Sequence, residues 1–163
     1  MSQDKAPVTA AIRVLRQHKV PYTEHLYEYV EYGGTGESAR QLGVAEHAVV
    51  KTLVMEDEGK KPLIVLMHGD CEVSTRNLAR QTNRRHVEPC TPDIANRHTG
   101  YMVGGTSPLG TKKPIPVYIE STILDLERIY LNGGKRGFLV GLDPKALLPI
   151  LSPTPVQVAN RHE

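Results

Sequence analysis

The sequence predicts an α/β (α+β) fold, with a curved mixed β-sheet or partial barrel surrounded by helices. Three observations lead there. Segments with helical spacing are interspersed with strand-like runs, and tight-turn signals join some of those runs into hairpins. No repeat, low-complexity tract or linker divides the chain, so residues 1–163 are expected to form one domain.

The elements follow in order. In PVTAAIRVLRQHK, Val8, Ala11, Ile12 and Leu15 share one helical face. Pro7 suits an early helical position and Lys19 the end. Pro21 breaks this pattern, and YTEHLYEYV alternates strand formers with His25, Tyr27 and Tyr29 on one side. EYGGTGES reads as a flexible connection, followed by a short helix in ESARQLGV that ends at Gly43. VVKTLVMED and PLIVLMHG are apolar strands, made into a hairpin by the turn EDEGKK. Ser74 is placed to cap a helix through Leu78 and Ala79. Thr91, Pro92 and Asp93 supply a cap, a first-turn proline and a first-turn acid for a helix that stops before Gly100. IPVYIES, RIYLNGG and RGFLVGL read as strands. Asp143 and Pro144 open a last helix, PKALLPIL, and PVQVA reads as a final strand.

Composition narrows the function classes. The chain is 39% hydrophobic and 23% charged, ordinary for a water-soluble protein, and its 163 residues can bury a real core. Trp is absent and Phe occurs once, so that core is mainly aliphatic. A net charge of +2 does not support non-specific polyanion binding, which leaves local basic patches. Cys71 and Cys90 lie in no CxxC and beside no paired-histidine spacing, so neither a zinc site nor a disulfide framework is expected. The seven histidines form no HxH, HxxxH or HExxH. No metal and no cofactor are expected. The N-terminus has no long apolar stretch, and no segment approaches the roughly 20 apolar residues of a membrane span. The expected location is cytoplasmic.

Two glycine motifs invite a nucleotide and fail on context. GTGESA, from Gly34 to Ala39, fits GxGxxA, but the preceding segment carries Glu28 and Glu31 and is not a buried parallel strand. GGTSPLGTKK, residues 104–113, has the GxxxxG spacing of a P-loop, but Thr111 stands where lysine belongs and KKPIPVYIE reads as a strand, not a helix. Its adjacent glycines still allow close backbone approach, with N–H groups able to converge on one oxygen, as in acyl transfer. A plain turn between strands is the other reading.

Lys51 interrupts the apolar run AVVKTLVM. It is an edge-strand lysine facing solvent, or it is snorkelling, paired or functional. Thr52 beside it faces the other side of a regular strand and reaches the same pocket only if the strand bends. YLNGGKRG, residues 130–137, signals a hairpin whose tip carries Lys135 and Arg136 after Asn132. With Lys112 and Lys113 these form a candidate phosphate-binding patch. No nucleophile–histidine–acid set stands out.

VVKTLV, GYMVGGTSPLGTKK, VYIE and RIYLNGGKRG, taken together, resemble the YbaK/EbsC family of trans-editing aminoacyl-tRNA deacylases over nearly the whole chain. The same fold is known as the editing domain of bacterial prolyl-tRNA synthetases. The resemblance implies removal of cysteine mischarged onto tRNA(Pro), with attack by the substrate's own thiol. It also implies the tRNA acceptor end as partner and prolyl-tRNA synthetase as a further one. Lys51 matches the family's essential lysine, Gly104 and Gly105 its carbonyl-binding loop, Tyr27 a pocket tyrosine, and Thr52 the residue beside the lysine. Asn132 stands where the family carries a serine. The implied roles are catalytic for Lys51 and Gly105, and substrate-binding for Tyr27, Thr52, Gly104, Thr106, Ser107 and Asn132. Lys112, Lys113, Lys135 and Arg136 are assigned to the tRNA backbone. A water-dependent deacylase for alanine or another small residue, and a non-catalytic tRNA- or synthetase-binding module, are the alternatives.

Overall fold

The structure is a computed structural model that describes residues 6–161. Its centre is a five-stranded mixed sheet. β2 (Val50–Asp57) and β3 (Pro62–His68) form the expected hairpin, and β5 (Val87–Pro89) pairs antiparallel with the far end of β2. β6 (Val117–Glu120) lies parallel to β3, and β9 (Thr154–Val156) parallel to β6. A second, antiparallel sheet has β8 (Phe138–Leu142) between β1 (Thr23–Leu26) and β7 (Ile129–Lys135). β4 (Cys71–Val73) and β10 (Ala159–Arg161) form a small third sheet. The mixed α/β class is as expected, but the sheet is in three pieces, and a single bridge from Val49 to Tyr130 joins the first two.

β3 explains itself from sequence. Its apolar run is buried on both faces. Ile64 and Leu66 enter the core shared with Ile12, Leu15, Leu131 and Phe138, while Leu63, Val65 and Met67 enter a second core with Leu78 and Val158. Each such fully buried side chain contributes roughly 1.5–3 kcal/mol relative to exposure.

Helix ends follow capping chemistry. α1 (Ala10–Gln17) is capped by the Thr9 hydroxyl, which accepts from the Ile12 N–H. The helix therefore starts after Pro7 and Val8; Val8 is outside it and 52% exposed, contrary to the expected face. Ser74 and Thr91 cap α3 (Thr75–Gln81) and α4 (Pro92–Thr99) as their sequences imply. Gly43 and Gly100 end α2 (Gly34–Leu42) and α4 in the left-handed conformation.

Three segments depart from expectation. β1 stops at Leu26, so Tyr27 and Tyr29 leave the sheet; the Tyr27 N–H is held by the Gly137 carbonyl at 2.9 Å. α2 begins at Gly34, so the expected flexible connection supplies its first turn. The last predicted helix divides into a 3-10 turn, Pro144–Leu147, and the four-residue α5 (Leu148–Leu151). Among the described residues, no helix is long and apolar enough to cross a membrane.

Candidate functional site

β5 covers only Met55–Asp57 of β2, leaving the Lys51–Leu53 edge without a strand partner in the central sheet. A cavity of about 560 Å³ lies against that edge. Its walls are Val49 to Leu53, the first turns of α2 (Thr35, Ser38), Tyr27 and Tyr29 after β1, Val103, Gly104 and Thr106 of the glycine loop, and Asn132 and Arg136 of the β7–β8 hairpin.

Lys51 and Thr52 face opposite sides of β2, as alternation requires: Lys51 pairs with Met67 of one core and Thr52 with Leu66 of the other. Both nevertheless line the cavity, because it runs along the open edge. The Lys51 ammonium is partly buried and donates to the Cys71 carbonyl oxygen at 2.8 Å. The turn carrying Cys71 is fixed in place: the Thr35 hydroxyl contacts the Glu46 carboxylate at 2.8 Å and the Gly69 carbonyl at 3.1 Å. A Cβ on Gly69 would meet the Glu46 and Val49 carbonyls at 2.7 Å. The Thr52 hydroxyl is buried without a hydrogen-bond partner.

The glycine loop turns at residues 102–105. The Gly105 N–H donates to the Met102 carbonyl at 2.8 Å, and Gly104 has φ +84°, the type II arrangement that favours glycine in third place. The hairpin grips this turn. Asn132 Nδ2 donates to the Gly104 carbonyl at 2.9 Å and Arg136 Nε to the Val103 carbonyl at 2.8 Å. The Gly104 N–H belongs to the same trans peptide as the Val103 carbonyl, so it points away from Arg136.

The geometry sets Gly105 apart from Gly104. Its amide is committed to Met102, and its missing side chain faces the hairpin backbone, where a Cβ would lie 2.8 Å from the Arg136 nitrogen. Gly105 lines no part of the cavity; Gly104 and Thr106 do. Ser107 is fully buried, and its hydroxyl accepts from the Leu109 N–H at 3.1 Å. Thr106 lines the cavity, with its hydroxyl donating to the Met102 carbonyl at 3.2 Å.

The basic residues separate. Arg136 is a wall residue, with its guanidinium 4.9 Å from the Tyr29 ring centre. Lys112, Lys113 and Lys135 are exposed and outside the cavity. Burial raises the Tyr27 hydroxyl pKa, and Tyr29 adds to this against the lowering contact with Gly137. Hydrogen bonds from Arg40 and Gln41 hold the Glu37 carboxyl low, so one wall carries an ionised carboxylate.

Thr35, Glu37 and Ser38 are not singled out as site residues by sequence, since EYGGTGES reads as a flexible connection and GTGESA as a nucleotide motif that fails on context. The signal was there in part. Glu37 and Arg40 form an i,i+3 pair, which supports a helix beginning before Glu37.

Comparison with known proteins decides the family. Residues 34–150 match the model of the aminoacyl-tRNA editing domain. The chain belongs to this family. It is 34% identical over 143 residues to EbsC of Enterococcus faecalis, a candidate Cys-tRNA(Pro)/Cys-tRNA(Cys) deacylase, covering 87% of each protein. It is also 27% identical over 93 residues to the proline–tRNA ligase of Levilactobacillus brevis, covering 57% of this chain and 16% of that enzyme. A crystal structure of a candidate trans-editing enzyme for prolyl tRNA synthetase superposes with a TM-score of 0.80 at 22% identity, covering 95% of this chain and 99% of that one. This last likeness concerns the fold. The cavity between β2, α2 and the glycine loop lies largely within the matched residues of the editing domain.

Proposed function

We propose that the protein is an aminoacyl-tRNA deacylase that removes cysteine mischarged onto tRNA(Pro), with the aminoacyl ester held between Lys51 and the glycine loop. One observation carries this reading: Lys51, Thr52, Gly104 and Thr106 line one cavity of about 560 Å³, a size suited to a small ligand.

The residues divide the work. The amides of Gly104 and Thr106, rather than that of Gly105, face the ester carbonyl and stabilise the charge that develops on it. Lys51 acts as a fixed positive charge; an ordinary lysine, with a pKa of about 10.4, is almost wholly protonated at neutral pH. Arg136 supports the loop, leaving Lys112, Lys113 and Lys135 for the acceptor-stem phosphates.

The nucleophile comes from the substrate. Among the described residues that line the cavity there is no Cys or His, and the Ser38 hydroxyl donates to the Thr35 carbonyl. The cysteine thiol of the substrate loses its proton and attacks the ester carbonyl carbon. The new C–S bond closes a thiolactone ring, the C–O bond to the ribose breaks, and the ribose oxygen takes up a proton. An aminoacyl ester is already activated, so positioning and charge stabilisation suffice.

The test is incubation with tRNAs charged separately with cysteine, alanine and proline, following the loss of each and the product formed. Rapid loss of cysteine alone with appearance of the thiolactone supports the reading. Free cysteine as the first product would point to water as nucleophile, and protection of every charged tRNA would point to a binding module.

A further inference from the structure

Away from the cavity, three chemically different side chains meet inside the protein. Glu56 stands near the end of β2, Cys90 just after β5, and His98 in the last turn of α4. Glu56 and His98 are 8% and 9% exposed, and Cys90 is partly buried. A carboxylate oxygen, a thiol sulfur and an imidazole nitrogen from these residues lie within 4.8 Å of one another. His98 Nε2 is 2.8 Å from a Glu56 oxygen, while His98 Nδ1 is buried with no hydrogen-bond partner.

From this cluster we infer a binding site for a divalent transition-metal ion of the zinc class, held by Glu56, Cys90 and His98. The ligand types select the ion. Thiolate and imidazole suit zinc and disfavour calcium and magnesium, which take oxygen ligands. Charge balance also favours it: one carboxylate, one thiolate and one neutral imidazole cancel a dipositive ion, so no net charge is buried. In a tetrahedral site donors lie about 3.5 Å apart, so the Glu56 oxygen and His98 Nε2, now 2.8 Å apart, open slightly to admit the ion. The thiol gives up its proton in the same step. Water takes the remaining position.

The position suggests what the ion does. Sequence spacing hides the site, because its donors come from three elements. The ion clips the end of β2 to α4, and α4 leads through its Gly100 cap and Tyr101 into the glycine loop. Asn96 of α4 already holds the Tyr101 carbonyl at 2.9 Å. The site is structural; none of its three residues lines the cavity.

Cobalt substitution tests this in the full chain after treatment with a chelator. Titration with Co²⁺ is expected to give a thiolate-to-cobalt absorption band at one equivalent, displaced by Zn²⁺. Cys90→Ser abolishes the band, His98→Gln weakens binding about tenfold or more, and Cys71→Ser leaves both unchanged. Should the variants fold poorly, the unaltered protein still answers: Zn²⁺ must slow the reaction of Cys90 with a thiol reagent and raise the melting temperature. Absence of the band, a band that survives Cys90→Ser, or a Cys90 thiol equally reactive with and without Zn²⁺ overturns the inference.

Discussion

Asn132 grips Gly104. Its Nδ2 donates to the Gly104 carbonyl at 2.9 Å, while its Oδ1 accepts from the Gly134 and Lys135 amides at 2.6 and 3.0 Å. One side chain thus shapes the hairpin turn and fixes the glycine loop against it. Asn132→Ala is expected to cost about 1 kcal/mol of stability. Turnover is expected to fall up to about 100-fold, since misplacing a positioning element by 1 Å has that effect. Paired measurements of melting temperature and deacylation rate check this; a large stability loss with normal turnover would remove Asn132 from the site.

Gly104 and Gly105 should fail differently when changed to alanine. Gly104 sits at φ +84°, and a Cβ there would lie 2.9 Å from the Tyr29 hydroxyl, on the cavity wall. Gly104→Ala is expected to cost about 1–2 kcal/mol from backbone strain and to raise KM as Tyr29 is displaced. Gly105→Ala drives its methyl into the Lys135 and Arg136 backbone. The hairpin must move, so the melting temperature falls further than for Gly104→Ala. Unfolding curves and steady-state kinetics on both variants separate the two cases.

Acid stability should reflect Asp57. Burial raises its carboxyl pKa, but the Lys61 and Gly59 amides and the Arg84 guanidinium outweigh this and leave it below the ordinary value. A depressed folded pKa stabilises fully above the unfolded value of about 3.9, and that contribution is lost as pH falls through the folded value. Arg84 also donates to the Tyr118 hydroxyl at 2.8 Å and lies 3.2 Å from Asp57. Arg84→Met should cost about 1–3 kcal/mol near pH 7 and make the acid loss shallower, measured by urea unfolding between pH 2 and pH 7, a range of about 5 units around the carboxylate pKa.

Salt dependence distinguishes the basic residues. Replacing Lys112, Lys113 or Lys135 singly with alanine should weaken tRNA binding and reduce the slope of log K against log salt by about one each. Arg136→Ala should also slow turnover, because it releases the Val103 carbonyl and uncovers Tyr29. A slope unchanged in all three lysine variants would place the acceptor stem elsewhere.

Much of the fold was legible because local chemistry and burial agree. The PLIVLM run becomes a strand buried on both faces, and Gly43 and Gly100 stop their helices at positive φ. Lys51 stood out since an ammonium in an apolar run needs a partner, and it has one in the Cys71 carbonyl. What was hidden depends on distant chain. Gly34 opens α2 at φ +63°, a conformation that favours glycine, and Thr35 beside it is tied to Glu46 and Gly69 across the fold. The three-residue strands β4 and β5 exist only through their partners. The orientation of Gly105 is set by a hairpin some thirty residues later, so the adjacent glycines looked equivalent until Arg136 and Asn132 were in place.

The most direct measurement is release of cysteine from Cys-tRNA(Pro), under excess substrate, by the unaltered protein and by Lys51→Ala. The unaltered protein should empty many equivalents of charged tRNA. Lys51→Ala, shown to be folded by its melting curve, should be slower by about 100-fold or more, the scale of losing one charge-stabilising group. Equal rates for the two proteins, or no turnover by the unaltered one, would contradict the account.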